Sequence, residues 1–343
     1  MFKLKASIYI VLALQAAVAH AAVGLTEIQG LESDGPVTVF FPSNDEAKPV
    51  LRGGVPLDVA FNGVPARGNG RLIVISHGSP ASPWVYADLA RVLVGAGYVV
   101  AMPEHFADNY KDDSDPGISS WKRRPLEVSR AIDAVGRDAR FGSLLKLDKV
   151  GMYGMSAGGH TALTLAGGRW SPAQLLRHCE THIAEDFNTC AGPNFRLTGG
   201  LFDSLKIGVS LGIIRGKYAD DAWYSYTDPR ISAIVSGVPF AADFDMESLT
   251  TNHVPLGIVT ARADKWLTPK FHSDKVLLAC TKCIRVADIQ SGGHGALLSP
   301  LPPNRTGAIA DLIADAPGFD RARVVPELNG KITLFFQQYL TTP

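Results

Sequence analysis

Gly154-Met155-Ser156-Ala157-Gly158 decides how this chain is read, because of what lies on either side of it. Lys149-Val150-Gly151-Met152-Tyr153 has the apolar character of a short buried strand. Gly159-His160-Thr161-Ala162-Leu163-Thr164-Leu165-Ala166 has the small-residue character of a packed helix ending near Gly168. The segment therefore predicts strand, sharp turn and helix around a G-x-S-x-G core, an arrangement that displays a serine as a nucleophile. The chemistry needs that shape. A serine on a strained turn projects its Oγ, while glycines two residues away on either side let strand and helix come close. The backbone N–H of Ala157 then faces the place where an oxyanion would form. With 34 glycines in 343 residues, however, the pattern alone is a weak signal, and its surroundings must carry the reading.

Upstream, Arg71-Leu72-Ile73-Val74-Ile75-Ser76 reads as a buried strand running into His77-Gly78-Ser79-Pro80. A helix is predicted from about Trp84 to Ala96, with Leu89, Val92 and Leu93 at core-facing spacing. Gly97 closes it, and Tyr98-Val99-Val100-Ala101-Met102 is the next strand. The turn after the first of these strands is where a second oxyanion donor is expected, here the N–H of Ser79; the plain alternative is a tight strand-to-loop turn. Downstream, the strand Val254 to Thr260 ends in a loop carrying Asp264. The strand Cys283 to Ile289 leads into Ser291-Gly292-Gly293-His294-Gly295, a glycine-rich loop able to bring a histidine over the sheet edge. The chain order Ser156, Asp264, His294 gives nucleophile, acid and base in an order known for serine hydrolysis. Asp243 and Asp245, after the strand Ile231 to Gly237, stand as alternative acids.

These motifs together resemble the α/β-hydrolase superfamily. Added to Ala96-Gly97-Tyr98-Val99-Val100-Ala101-Met102-Pro103-Glu104-His105, they resemble its secreted dienelactone-hydrolase-like branch, closest to the platelet-activating-factor acetylhydrolase type of esterase. The likeness spans roughly residues 30 to 340 and is concentrated in the motifs. It implies a mostly parallel mixed sheet with helices on both faces, and a cap inserted after the nucleophile helix. It also implies a serine carboxylic-ester hydrolase acting on short-chain acyl esters, phospholipid-like or other lipid esters included, without metal or organic cofactor. Two departures matter. Dienelactone hydrolases proper use cysteine where this chain has Ser156, so lactone opening is not implied. The animal acetylhydrolases place the acid one strand earlier, around Gly237, which is not acidic here; Asp264 is the better candidate. A peptidase or amidase would use the same triad, but the chain is too short for an added peptide-recognition domain. A non-catalytic binding protein on this fold would be expected to lack a triad member.

Composition agrees with one catalytic domain over 22–343. A hydrophobic content of 46% is ample for a single large core. Formal charge is zero, or two units negative once Lys3 and Lys5 leave with a leader, so neither nucleic acid nor an anionic membrane surface is indicated as partner. Met1 to Lys5 is a basic n-region, Ile8 to Val18 an apolar h-region, and Ala19-His20-Ala21 a cleavage site. The apolar run is too short for a comfortable span, so residues 1–21 read as a signal peptide for export to the periplasm or medium. Four cysteines fit that destination. They permit three pairings, of which local pairing, Cys179 with Cys190 and Cys280 with Cys283, is the simplest. A zinc site would need all four to converge.

Between Trp170 and Tyr226 the strand–helix rhythm breaks, as a cap insertion would break it. Its Gly199-to-Gly216 portion is apolar enough to roof the site, or else to pack as core. Leu25 to Asn62 reads as antiparallel structure at the edge of the sheet, and Lys331 to Leu340 as a closing helix with Leu334 and Phe335 inward. Trp84, Trp266, Phe240 and His105 are candidates for the substrate pocket, whereas His160 reads as a packed histidine. The sequence does not fix an oligomeric state.

Overall fold

Unbroken apolar runs form strands here because helices cover both faces of the sheet, leaving no wet side to fill with polar residues. The computed structural model describes residues 22–192, 195–251, 254–303 and 305–341; the leader expected at 1–21 lies outside them. Four strands come first: β1 (Ala22–Ile28), β2 (Val37–Ser43), β3 (Lys48–Arg52) and β4 (Val55–Phe61). An alternating region follows: β5 (Leu72–Ser76), α1 (Ala87–Gly95), β6 (Val99–Pro103), α2 (Ile118–Arg137), β7 (Val150–Met155) and α3 (Ala157–Leu165). Then come β8 (Arg169–Trp170), α4 (Pro172–His182), α5 (Phe187–Ala191) and α6 (Asp203–Lys217). The chain closes with β9 (Ile231–Gly237), β10 (Phe244–Asp245), β11 (Leu256–Ala261), α7 (Ser273–Ala279), β12 (Ile284–Ile289), α8 (Gly307–Ile313) and α9 (Arg321–Phe336).

Ten strands form one sheet in the order β12-β11-β9-β7-β5-β6-β2-β1-β4-β3, and β8 pairs with β10 apart from it. From β12 to β6 the neighbours run parallel. The expected antiparallel edge is present: β2 lies antiparallel on β6, β1 on β2, and β3 on β4. Strand alternation splits the interior into two cores. Phe41, Val74 and Met152 face α2 and α3, while Phe40, Ile73 and Tyr153 face α1 and α9. The result is an α/β-hydrolase fold, with the loops after β5, β7, β11 and β12 gathered at the carboxyl ends of the parallel strands, where such sheets bind ligands.

β7, the elbow and α3 follow the expected order. Ser156 has φ 59° and ψ −117°, a left-handed conformation that costs a residue with a Cβ on the order of 1–3 kcal/mol. The Ser156 N–H donates to Gly237 O at 3.1 Å, and its carbonyl accepts from the N–H groups of Phe240 and His160 at 3.2 and 3.0 Å. A Cβ at Gly154 would fall on the carbonyl of Gly158, and one at Gly158 on the carbonyl of Ser76. Both glycines are therefore demanded by contact.

Two expectations need correction. In α1, Leu89 and Leu93 are buried but Val92 is half exposed. The closing helix begins earlier, at Arg321, and Leu334 points outward at 64% exposure. Its inward stripe is Leu328, Ile332, Phe335 and Phe336, and Leu334, two residues past Ile332, lies across the helix from it. Phe336→Ala is accordingly expected to lower stability by about 3–5 kcal/mol, against about 0.5 kcal/mol or less for Leu334→Ala, in urea unfolding followed by circular dichroism.

Candidate active site

Three loops bring Ser156, His294 and Asp264 into one hydrogen-bonded chain. His294 Nε2 lies 3.0 Å from Ser156 Oγ, and His294 Nδ1 lies 2.8 Å from Asp264 Oδ2. The other carboxylate oxygen, Asp264 Oδ1, accepts the N–H groups of Trp266 and Leu267 at 2.8 and 3.0 Å. A carboxylate so occupied is an acceptor on both oxygens, so His294 Nδ1 must donate and its Nε2 lone pair faces the serine hydroxyl. Asp264 and His294 are buried; Ser156 is partly accessible.

The alternative acids are committed elsewhere. Buried Asp243 meets His160 Nε2 at 3.0 Å, with His160 enclosed by Trp121, Trp170, Phe240 and Phe244. Asp245 pairs with Arg169 and caps a short helical turn. His160 is thus a packed histidine, as the sequence suggests.

The His77-Gly78-Ser79 turn follows β5 and lies against Ser156: a Cβ on Gly78 would stand 3.5 Å from the Ser156 Cβ. The Ser79 N–H has no hydrogen-bond partner among the described residues. Ala157, as the first residue of α3, has no carbonyl in a preceding turn to receive its N–H. Both groups sought as oxyanion donors therefore border the serine.

Two cavities share Ser156, His294, Ser79, Ile309 and Leu312 as their common wall. The first, about 320 Å³, is bounded by Val85, Tyr86, Tyr110, Met155, Leu298 and Ile313. The second, about 330 Å³, is bounded by Phe240, Trp266, Leu267, Asn188 and Thr189. Phe240 and Trp266 thus stand where the sequence suggested. His105 and Trp84 do not. His105 is fully buried beneath the strand ends, 2.7 Å from Ser76 Oγ and hydrogen-bonded to Glu127. Burial, together with the cations of Arg124 and Arg123, holds its pKa well below the ordinary histidine value, while burial raises that of Glu127. Trp84 packs its indole over Gly53, with Nε1 3.5 Å from Tyr110 Oη, and so backs the wall rather than lining it.

The insertion also differs from expectation. The stretch 199–216 contributes no lining residue; its helix α6 turns Leu205, Val209 and Ile213 outward. The wall comes instead from α5, through Asn188 and Thr189, and from α8, through Ile309 and Leu312. The cysteines pair locally, Cys179 with Cys190 and Cys280 with Cys283, and the first bridge ties α5 to α4. A buried polar knot does the rest. Asp186 meets His178 and His272 at 2.9 and 3.3 Å, and Thr189 Oγ1 meets His272 Nε2 at 2.9 Å. His272 Nδ1 accepts the Ala241 N–H at 2.9 Å, which joins the knot to the loop after β9. Among the described residues, no group of three or more His, Cys, Asp or Glu is placed to hold a metal ion, and no helix is long and apolar enough to cross a membrane.

Sequence reasoning missed Tyr86, Tyr110, Met155 and the whole of α8. Ile309, Leu312 and Ile313 do have helical spacing, but nothing local says that the helix faces the serine.

No family model matches the chain, and no curated protein matches it. Among solved structures, a ferulic acid esterase from Streptomyces cinnamoneus has a similar fold, with 14% sequence identity and a TM-score of 0.58. The match covers 96% of this chain and 93% of that one. At that identity the likeness is one of fold.

The knot makes a prediction about the cavity wall. Burial alone would raise the Asp186 carboxyl, but hydrogen bonds from His178 and His272 outweigh it and hold its pKa well below the usual carboxylate range. Its contribution is therefore complete above about pH 4 and is lost as pH falls below that point, where the unfolded chain takes up protons first. Asp186→Asn should lower stability at pH 7 by about 1–3 kcal/mol, and the gap to the parent should narrow in urea titrations near pH 3. A gap that widens on acidification would overturn the assignment.

Proposed function

We propose that this protein is a serine carboxylic-ester hydrolase that works through an acyl-enzyme. The observation that carries the reading is the chain Ser156–His294–Asp264 opening on two cavities beside two available backbone N–H groups. His294 Nε2 takes the Ser156 proton as Oγ attacks the ester carbonyl, and Asp264 holds the imidazole tautomer and balances its charge. The N–H groups of Ser79 and Ala157 receive the oxyanion. His294 then gives its proton to the departing alkoxide. Water, deprotonated by the same histidine, attacks the acyl-enzyme and frees the acid with Ser156 restored.

Small acyl groups fit this site best, because each cavity is a cleft of only about 320–330 Å³, the first walled by α8 and loop side chains and the second by α5, α8 and loop side chains. Each buried methylene adds only about 0.8 kcal/mol, and only while room lasts. The fold-level likeness to a ferulic acid esterase supports ester hydrolysis as the class and makes an aromatic acyl ester worth including. The leader at 1–21 and the two disulfides support export to the periplasm or medium.

Variant kinetics, active-site labelling and an ester series test the reading. Ser156→Ala should remove several orders of magnitude from kcat with the fold intact, and an organophosphate should label Ser156 alone. Asp264→Asn should lower kcat by about 10⁴, as a wrong histidine tautomer does, whereas Asp243→Asn should keep more than a tenth. Near-normal turnover in the Ser156 variant, or the reverse ranking of the acids, would sink the triad. On p-nitrophenyl esters from acetate to palmitate, with an alkyl ester of ferulic acid alongside, kcat/KM should peak at about two to eight carbons. A steady rise to palmitate would exclude the bounded pocket.

A further inference from the structure

Behind the oxyanion turn lies a buried guanidinium that the hydrolytic mechanism does not use. Arg124, on α2, has no exposed surface, and neither has its partner Asp108. Isolated burial of either charge would be expensive, and even a well-made buried ion pair is often no more stable than an apolar replacement. What an apolar pair would not supply is the set of contacts that Arg124 makes with the backbone. Its Nε donates to Asp108 Oδ2 at 3.0 Å and to Ser120 Oγ at 2.9 Å. Its Nη1 donates to the carbonyl of His77, and its Nη2 to the carbonyls of Gly78 at 3.3 Å and Asp108 at 3.2 Å. The planar fork thus grips two successive carbonyls of the oxyanion turn.

We propose that Arg124 is a positioning residue for ester hydrolysis, acting through the Gly78–Ser79 peptide to aim the Ser79 N–H at the oxyanion. The proposal rests on the hydrolase reading above. The Gly78–Ser79 bond is trans, so its C=O and N–H point in opposite directions across one rigid plane. Arg124 Nη2 and His77 Nδ1, the latter at 2.7 Å, hold the Gly78 carbonyl on the buried side. The Ser79 N–H must then face the other way, toward the cavity wall it shares with Ser156. The plane cannot easily turn. Its leading residue is tied by the Gly78 N–H to Tyr86 Oη at 3.1 Å, and its trailing residue by Ser79 Oγ to Asp108 Oδ1. Asp108 therefore serves as counter-ion to Arg124 and as anchor for the Ser79 side chain. A cation on the carbonyl also polarises the peptide, which leaves its N–H a stronger donor to a developing negative charge.

Arg124→Lys and Arg124→Gln in the full chain decide the matter, assayed with a short p-nitrophenyl ester and with a trifluoromethyl ketone whose adduct on Ser156 carries the oxyanion. Both variants should lose about ten- to a hundredfold in kcat with KM within about twofold, and the Ki of the ketone should rise in step with the loss in kcat/KM. A merely structural arginine would lower the folded fraction, and so kcat per mole, while the surviving molecules bound the ketone with the parent Ki. An unchanged Ki therefore overturns the proposal. Lysine keeps a cation beside Asp108 but replaces the fork with a point donor, so Arg124→Lys decides alone if Arg124→Gln does not fold. If the parent shows no Ser156-dependent ester hydrolysis, the underlying reading falls. If the parent hydrolyses esters and only the Ki is unmoved, the positioning role alone falls.

Discussion

Ser156 is held at φ 59°, and the surrounding structure is arranged to keep it there. A residue with a Cβ leaves that conformation unless its neighbours over-determine it. Three do so here by hydrogen bonds: Gly237 receives its N–H, and Phe240 and His160 bind its carbonyl. Two more do so by having no side chain, since Gly154 and Gly158 let β7, α3 and the end of β5 touch backbone to backbone. The same contact that strains the serine brings the Ser76–Gly78 turn against it. One local constraint therefore sets both Ser156 and the wall facing it.

Histidine–carboxylate pairing recurs in this molecule with different outcomes, and the difference lies in what the pair faces. His294–Asp264 faces a serine hydroxyl and open volume, with both carboxylate oxygens occupied. His160–Asp243 faces aromatic rings, with Asp243 Oδ1 and His160 Nδ1 unpartnered among the described residues. His178 and His272 share Asp186 beneath the wall of the second cavity. His105–Glu127 lies under the strand ends, each group pushed toward neutrality by burial. An imidazole next to a carboxylate thus gives each buried group at least one polar partner, while Asp243 Oδ1, His160 Nδ1 and Asp186 Oδ1 stay unpartnered among the described residues. The second ring nitrogens of both His294 and His105 meet a serine hydroxyl, but Ser76 beside His105 is fully buried, whereas Ser156 beside His294 opens on the cavities.

This recurrence explains why the sequence was legible in some places and opaque in others. The elbow, the His77–Ser79 turn and the loops bearing Asp264 and His294 were readable because glycine spacing and strand endings are local properties. The antiparallel edge was readable for the same reason. His105 departs from the expectation because sitting at a strand end does not tell whether a side chain turns up to the cavity or down into the core. Leu334 departs from the expectation because the inward stripe of the closing helix is set by residues from Arg321 onward, before the stretch 331–340 from which it is read. The walls from α5 and α8 are opaque because tertiary packing, not local pattern, brings them to Ser156 from about 30 and about 150 residues further along the chain.

The insertion shows how an apolar pattern can mislead. Leu205, Val209 and Ile213 recur at helical spacing, the ordinary mark of a face seeking a core, yet α6 turns them outward. Only Ser210 and Ile214 are buried on that helix. The fixed part of the insertion is instead the α4–α5 pair, closed by Cys179–Cys190 and by the Asp186 knot to His272. The disulfide and the buried histidine–carboxylate contacts of the insertion are therefore concentrated where it forms the cavity wall. A bridge on α5 constrains the residues bounding the site, whereas one on α6 would constrain a surface. The covalent tie and the buried polar ties of the insertion follow the cavity, while the apolar face of α6 does not.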